Sequence, residues 1–280
     1  MFKKILLSAA LTVGFATGAF AEGGQVHDVD FSFEGPFGRF DEHQLQRGLQ
    51  VFTDVCSGCH GIQYVYYRNL ADEGGLGWTE DQMKAYTAQV EVFDPELADG
   101  DGDWRTAIPA DQFPANTGAG APDLSLMAKA RAGFSGPNGL GMNQLFKGLG
   151  GPEYIVAILS GYEDPPSCTP EDFPGSYNTA FVPGGYPDEC KDEDGHHTVP
   201  GSWIAMDQPL AGEDVDYADG HENDIHHEAM DVAAFLMWTA EPKMMARKKA
   251  ASVWVGFLIL LTVLMYLTNK KIWAKAKRKD

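Results

Sequence analysis

The chain has 280 residues, 44% of them hydrophobic and 22% charged, which suffices for a substantial globular domain with appendages and excludes a mostly disordered chain. Its formal charge of −19 argues against nucleic-acid binding, because such a surface repels phosphate and suits basic partners. Four cysteines are too few for a disulfide scaffold.

The chain opens with Met1-Phe2-Lys3-Lys4, an apolar stretch from Ile5 to Phe20 and the small-residue site Ala19-Phe20-Ala21. That order predicts an export signal over residues 1–21 and a mature chain beginning at Glu22. A helix is expected after Asp41, which can cap it, with Leu45, Leu49 and Phe52 on one face suited to a porphyrin or to ordinary core packing.

Cys56-Ser57-Gly58-Cys59-His60 follows. Two thiols on one turn can form thioethers to the two vinyl groups of a heme, and the next histidine is placed to reach the iron. A redox dithiol wants a βαβ context and a zinc knuckle wants a second ligand pair; the sequence offers neither. One covalent heme c is therefore expected, held by Cys56, Cys59 and His60. For the sixth position the candidates are Met83, Met127, Met142, Met206, Met230 and Met237 and the histidines. Met230 and Met237 fall on the helical segment Asp224–Trp238 and suit a core. Met206 sits in a loop stiffened by Pro209, which favours it without settling the choice.

Acidic residues bunch at Glu91–Asp103, Asp188–Asp194 and Glu213–Asp224. Each cluster alone reads as a solvated loop, and His196, His197, His221, His226 and His227 among them show no tight metal-ligand spacing. Together the acidic residues can steer a small basic partner protein toward a heme edge.

Ala250–Thr268 is a nineteen-residue run without charge, about 28 Å long as a helix, followed by Lys270, Lys271, Trp273 and a basic tail over residues 269–280. It predicts a membrane span. With an exported N-terminus, residues 22–249 lie in the bacterial periplasm and the tail in the cytoplasm. Residues 22–242 hold nine Lys and Arg against 39 Asp and Glu, a net −30, so the overall −19 sums two sides of a membrane.

The order of motifs resembles the cytochrome c1 family, the heme subunit of the cytochrome bc1 complex, in its bacterial form. The resemblance covers Phe37–Leu70, Thr79–Phe93, Asn116–Ala132 with Pro122-Asp123-Leu124-Ser125 and Ala130-Arg131, Glu153–Pro166, the Ile204–Leu210 loop and Asp231–Pro242. It implies a mainly α, cytochrome c-like heme domain with loop insertions and one C-terminal transmembrane helix. It also implies Met206 as the second iron ligand, Pro122 against the heme, and Arg131 and Tyr154 near the propionates with Asn116 close by. For Arg131 there is an independent reason, since a guanidinium in a very acidic head suits a propionate. The chain departs from mitochondrial members in the Gly-rich stretch Gly133–Gly151 and in the extra pair Cys168 and Cys190. In a periplasm that pair is expected to form a disulfide and, ending sixteen residues before Met206, to steady its loop.

The implied function is one-electron transfer from a Rieske iron-sulfur protein to a soluble or anchored cytochrome c, beside cytochrome b in a homodimeric complex of respiration, photosynthesis or both. The quinol chemistry falls to other subunits, because a single span without a polar pocket offers no quinol site. A rival is an anchored cytochrome c of a terminal oxidase or a free shuttle, told apart by what co-purifies with it. A second rival is a heme enzyme or gas sensor, whose open iron would bind carbon monoxide in the reduced native protein.

Overall fold

The computed structural model describes residues 24–133, 147–148 and 150–274. The export signal, Met142, most of the Gly-rich stretch and the last six residues lie outside the described residues. In chain order the helices are α1 (Glu42–Val51), α2 (Glu80–Thr87), α3 (Met127–Ala130), α4 (Gly151–Ser160), α5 (Ile225–Ala240) and α6 (Met244–Trp273). The strands are β1 (Glu91–Asp94) with β2 (Asp103–Thr106), and β3 (Ser176–Asn178) with β4 (Ser202–Ile204), two antiparallel pairs. The molecule is mainly helical, as expected.

Asp41 caps α1 in an extended conformation, its carboxylate accepting from the His43 and Gln44 amides at 2.9 and 3.1 Å. Leu45, Leu49 and Phe52 are buried, and this side of α1 packs on α5: Phe52 meets Phe235 with ring centroids 5.8 Å apart. Gly48 permits the approach, since a Cβ there would stand 2.1 Å from the Asp231 carbonyl oxygen and 2.7 Å from Phe235 Cβ. Arg47 bridges the same joint, 2.8 Å from Asp231 and 2.9 Å from Asp219. Burial pushes the Asp231 carboxyl up, and the Arg47 guanidinium opposes that shift. Helices α3 and α4 pack on α5 from other sides, so α5 forms the spine of the main core. Met230 and Met237 pack against that core, as the sequence suggested.

A second, smaller core lies under β3 and β4. It gathers Tyr177, Cys190 and Trp203, with Cys168, Phe173, Tyr186 and Val199 against them. The expected Cys168–Cys190 disulfide is formed.

Helix α6 runs unbroken over 30 residues, about 45 Å, so the span expected at 250–268 is the middle of a longer helix whose first turns are basic. It is long and apolar enough to cross a membrane, and its apolar side chains from Val253 to Leu267 are exposed. Its base is tied to the head. Met244 is buried in the main core, Arg247 pairs with Glu241, and the Lys248 ammonium donates to the carbonyls of Phe33 and Gly38. Phe33 in turn stacks between Phe31 and Phe40, with centroids 5.0 and 4.9 Å away.

Candidate heme centre

After α1 the helix widens instead of ending. Residues Phe52–Cys56 form a π-helical turn in which the Ser57 amide donates to the Phe52 carbonyl at 2.8 Å. The turn closes on itself as the amides of Cys59 and His60 both donate to the Cys56 carbonyl, at 3.1 and 2.9 Å. Cys56 is half-buried and Cys59 exposed, and they remain separate thiols. Burial, with Cys59 alongside, pushes the Cys56 thiol up to about 12.

His60 Nδ1 lies 2.7 Å from the Pro122 carbonyl oxygen. A carbonyl can only accept, so Nδ1 carries a proton, and the neutral imidazole then has its lone pair on Nε2, the arrangement of a metal-ligating histidine with its outer partner. The donor set therefore fits a c-type heme: two thiols for the vinyl groups and, directly after them, an imidazole with its coordinating nitrogen fixed.

Asn116 braces this loop from the side. Its side-chain amide donates to the carbonyls of Ser57 at 3.3 Å and Gly58 at 2.9 Å, while its oxygen accepts from the Gly118 amide. Gly61 is required at the crossing: a Cβ there would sit 2.7 Å from both the Asn116 nitrogen and the Pro114 oxygen. Beyond it, Asp123 accepts from the amides of Gln63 and Ser125, and the Ser125 hydroxyl accepts from the Tyr64 amide. These two residues hold the Pro122 segment against the heme loop. Sequence reasoning quoted their motif but assigned a role only to the proline; the Asp-x-Ser turn pattern was the available signal.

The other expected residues occupy two further groups. Tyr154 is half-buried on α4 and Arg131 exposed at the end of α3: burial pushes the Tyr154 phenol up and the Arg131 guanidinium counters it. Met206 lies just past β4, partly buried on the main core that Val55, Cys56, Leu124 and Met127 also border. Its backbone carbonyl accepts from the Tyr162 hydroxyl at 3.0 Å, and burial pushes that phenol up, so it stays a donor. The Ser176 hydroxyl, 3.1 Å from the Asp207 carboxylate, holds the next residue. Tyr162 is a second supporting residue that the sequence did not single out. Among the rival methionines, Met83 is buried with its sulfur 3.7 Å from the Thr87 hydroxyl.

Of the histidines, His227 meets Asp224 at 2.9 Å and Glu222 at 3.5 Å, in a group that also caps α5 through Asp224. His197 instead stacks on Tyr186, with centroids 3.7 Å apart.

The sequence matches the Cytochrome C1 family over residues 31–276. It is 53% identical to a cytochrome c1 of Cereibacter sphaeroides, covering 100% of this chain and 98% of that one. It is 31% identical to cytochrome c1 1, a mitochondrial heme protein of Arabidopsis thaliana, covering 97% and 82%. Against the cytochrome b/c1 of Bradyrhizobium diazoefficiens it is 39% identical, with 87% of this chain lying on 35% of that longer protein. The chain belongs to the cytochrome c1 family, the heme subunit of the bc1 complex, whose members carry one covalently bound heme c.

Proposed function

We propose that this chain receives one electron from a Rieske iron-sulfur protein and passes it to a soluble or membrane-anchored cytochrome c of basic surface. The observation that carries the reading is the His60–Pro122 hydrogen bond, which leaves Nε2 available to an iron beside two thiols. Cys56 and Cys59 would attach the heme by thioethers, and His60 and Met206 would hold its iron. When bound, the heme supplies a one-electron ferric/ferrous couple. Met206 offers a weak thioether donor, which favours the reduced state and raises the potential over that of a second imidazole. Tyr162 holds the Met206 backbone, Asn116 braces the Cys56–His60 turn, and Pro122 would lie against the ring. Arg131 and Tyr154 offer a cation and a neutral phenol to the propionates.

Residues 22–249 form the periplasmic head, residues 250–268 the span and 269–280 a cytoplasmic tail, after removal of residues 1–21. The Bradyrhizobium relative, named cytochrome b/c1, supports cytochrome b as the membrane neighbour. We place the chain in a homodimeric complex in the inner membrane, with the −30 head steering the acceptor.

The test is inhibitor-sensitive quinol:cytochrome c reduction by the purified assembly at rising ionic strength. Turnover is expected to slow as salt rises, and insensitivity to salt overturns the acceptor assignment. In the same preparation Met206→Leu is expected to make a previously inert reduced heme bind carbon monoxide, read from its absorption spectrum. An unchanged spectrum removes Met206 from the iron.

A further inference from the structure

A surface cavity of about 470 Å³ opens on the loop that the Cys168–Cys190 disulfide closes. Its walls carry two aromatic rings, Phe173 and Tyr186, and three carboxylates, Asp172, Asp188 and Glu189, with three prolines closing the rest. The rings are held firmly. Both pack edge-on against Trp203, at 5.3 and 5.5 Å, and the Tyr186 hydroxyl donates to the Val199 carbonyl and accepts its amide. The Cys168–Cys190 bond closes the loop that bears these lining residues. Of the carboxylates, Asp188 pairs with Lys191 at 2.6 Å, whereas neither Asp172 nor Glu189 takes part in an ion pair among the described residues. An aromatic wall under unpaired negative charge is complementary to a cation carried on a hydrocarbon stem.

The two rings rest on a strand that runs on into the Met206 loop. Trp203 lies on β4, three residues before Met206, and β3 ties into the same loop through Ser176 and Asp207. We infer that this cavity is a socket for a lysine or arginine side chain of the basic acceptor cytochrome c, seating the acceptor beside the Met206 loop. The inference rests on the proposed function and deepens it, because it assigns the docking contact to one place on a generally acidic head. The acidic rim attracts the side chain, and Phe173 and Tyr186 supply a sheltered contact that salt screens less than it screens the exposed carboxylates.

The experiment uses the intact purified complex and a soluble basic cytochrome c, with KM and kcat measured at low and moderate ionic strength. The double variant Asp172→Asn, Glu189→Gln is expected to raise KM about three- to fivefold at low salt and to flatten its salt dependence, with kcat unchanged. Phe173→Leu, which keeps an apolar side chain of similar reach, is expected to raise KM with the salt dependence retained and the heme potential unaltered. Asp99→Asn with Asp101→Asn, on the β1–β2 turn, serves as the control for unspecific charge loss. The inference fails if the rim variants leave KM unchanged while the parent complex remains salt-sensitive, an outcome that leaves the proposed function standing. It fails equally if the control raises KM as much as the rim pair. Tetramethylammonium chloride is expected to compete with cytochrome c more strongly than sodium chloride of equal ionic strength. Binding of tetramethylammonium without competition makes the cavity a small-molecule site and overturns the socket.

Discussion

His60, the proposed iron ligand, shows how little of such a role is visible in its own letter. The heme signature locates the residue, but which nitrogen is left available to a metal depends on the carbonyl of Pro122, sixty-two positions away. Asn116 works in the same way, bonding two carbonyls of the Cys56–His60 turn from a separate loop. Asn116→Ala is expected to cost about 1 kcal/mol, since each net hydrogen bond contributes about 0.5–1.5 kcal/mol and these carbonyls can recruit water. Asn116→Asp should cost more, because a carboxylate would face two carbonyl oxygens. Urea denaturation of the holoprotein measures both, and an Ala variant with the parent's midpoint would show the brace to be idle. Cys56, Cys59 and His60 were legible because covalent chemistry fixes their spacing. Asp123, Ser125 and Tyr162 were not, because a side chain that bonds a backbone group can do so from many registers.

At the scale of elements, α1, α5 and α6 were legible for physical reasons. The cap at Asp41 and the spacing of Leu45, Leu49 and Phe52 mark a helix whose buried side finds α5. The π-helical turn at Phe52–Cys56 was not legible, since it differs from an α-helix by one hydrogen-bond step and needs no change of residue type. The strand pairs escaped as well: β3 and β4 are three residues each, too short for a period, and their register is set by what packs under them. Trp203 joins the two cores' business, because it packs in the disulfide cluster and precedes Met206 on the same strand exit. Cys190 is fully buried in that cluster. Cys190→Ala is therefore expected to loosen the β3–β4 pair, weaken Met206 ligation and lower the heme midpoint potential. A redox titration giving the parent's value would disconnect the disulfide from the iron.

For the whole molecule, charge is the organising quantity. The head's net −30 favours a less ionised protein, so repulsion alone makes the fold more stable toward mild acid. Glu228 adds a local contribution of the same sign. It is fully buried, one oxygen accepts from the amides of Asp214 and Val215, and burial pushes its carboxyl up to about 7. With the folded value above the ordinary 4.5, its stabilising share is complete below that pH and is lost as pH rises through about 7. Glu228→Gln keeps an acceptor for the two amides and cannot ionise. Its unfolding free energy is expected to fall less between pH 5 and pH 8 than the parent's, by denaturant titration at each pH. Parallel curves would show that Glu228 ionises as freely folded as unfolded. The partition of charge along the chain was fully legible from the sequence, whereas the one carboxyl whose burial gives it this behaviour was indistinguishable there from its neighbours.

The tether at Lys248 bears on how the molecule moves. Its ammonium is held by the carbonyls of Phe33 and Gly38, and those belong to a segment held by three packed phenylalanine rings, so stem and head meet in a keyed joint. Such a joint resists swivelling. The stand-off of the redox centre from the bilayer is then a constant of the molecule, and any reaching across a gap during electron delivery must be done by the partners that come to it.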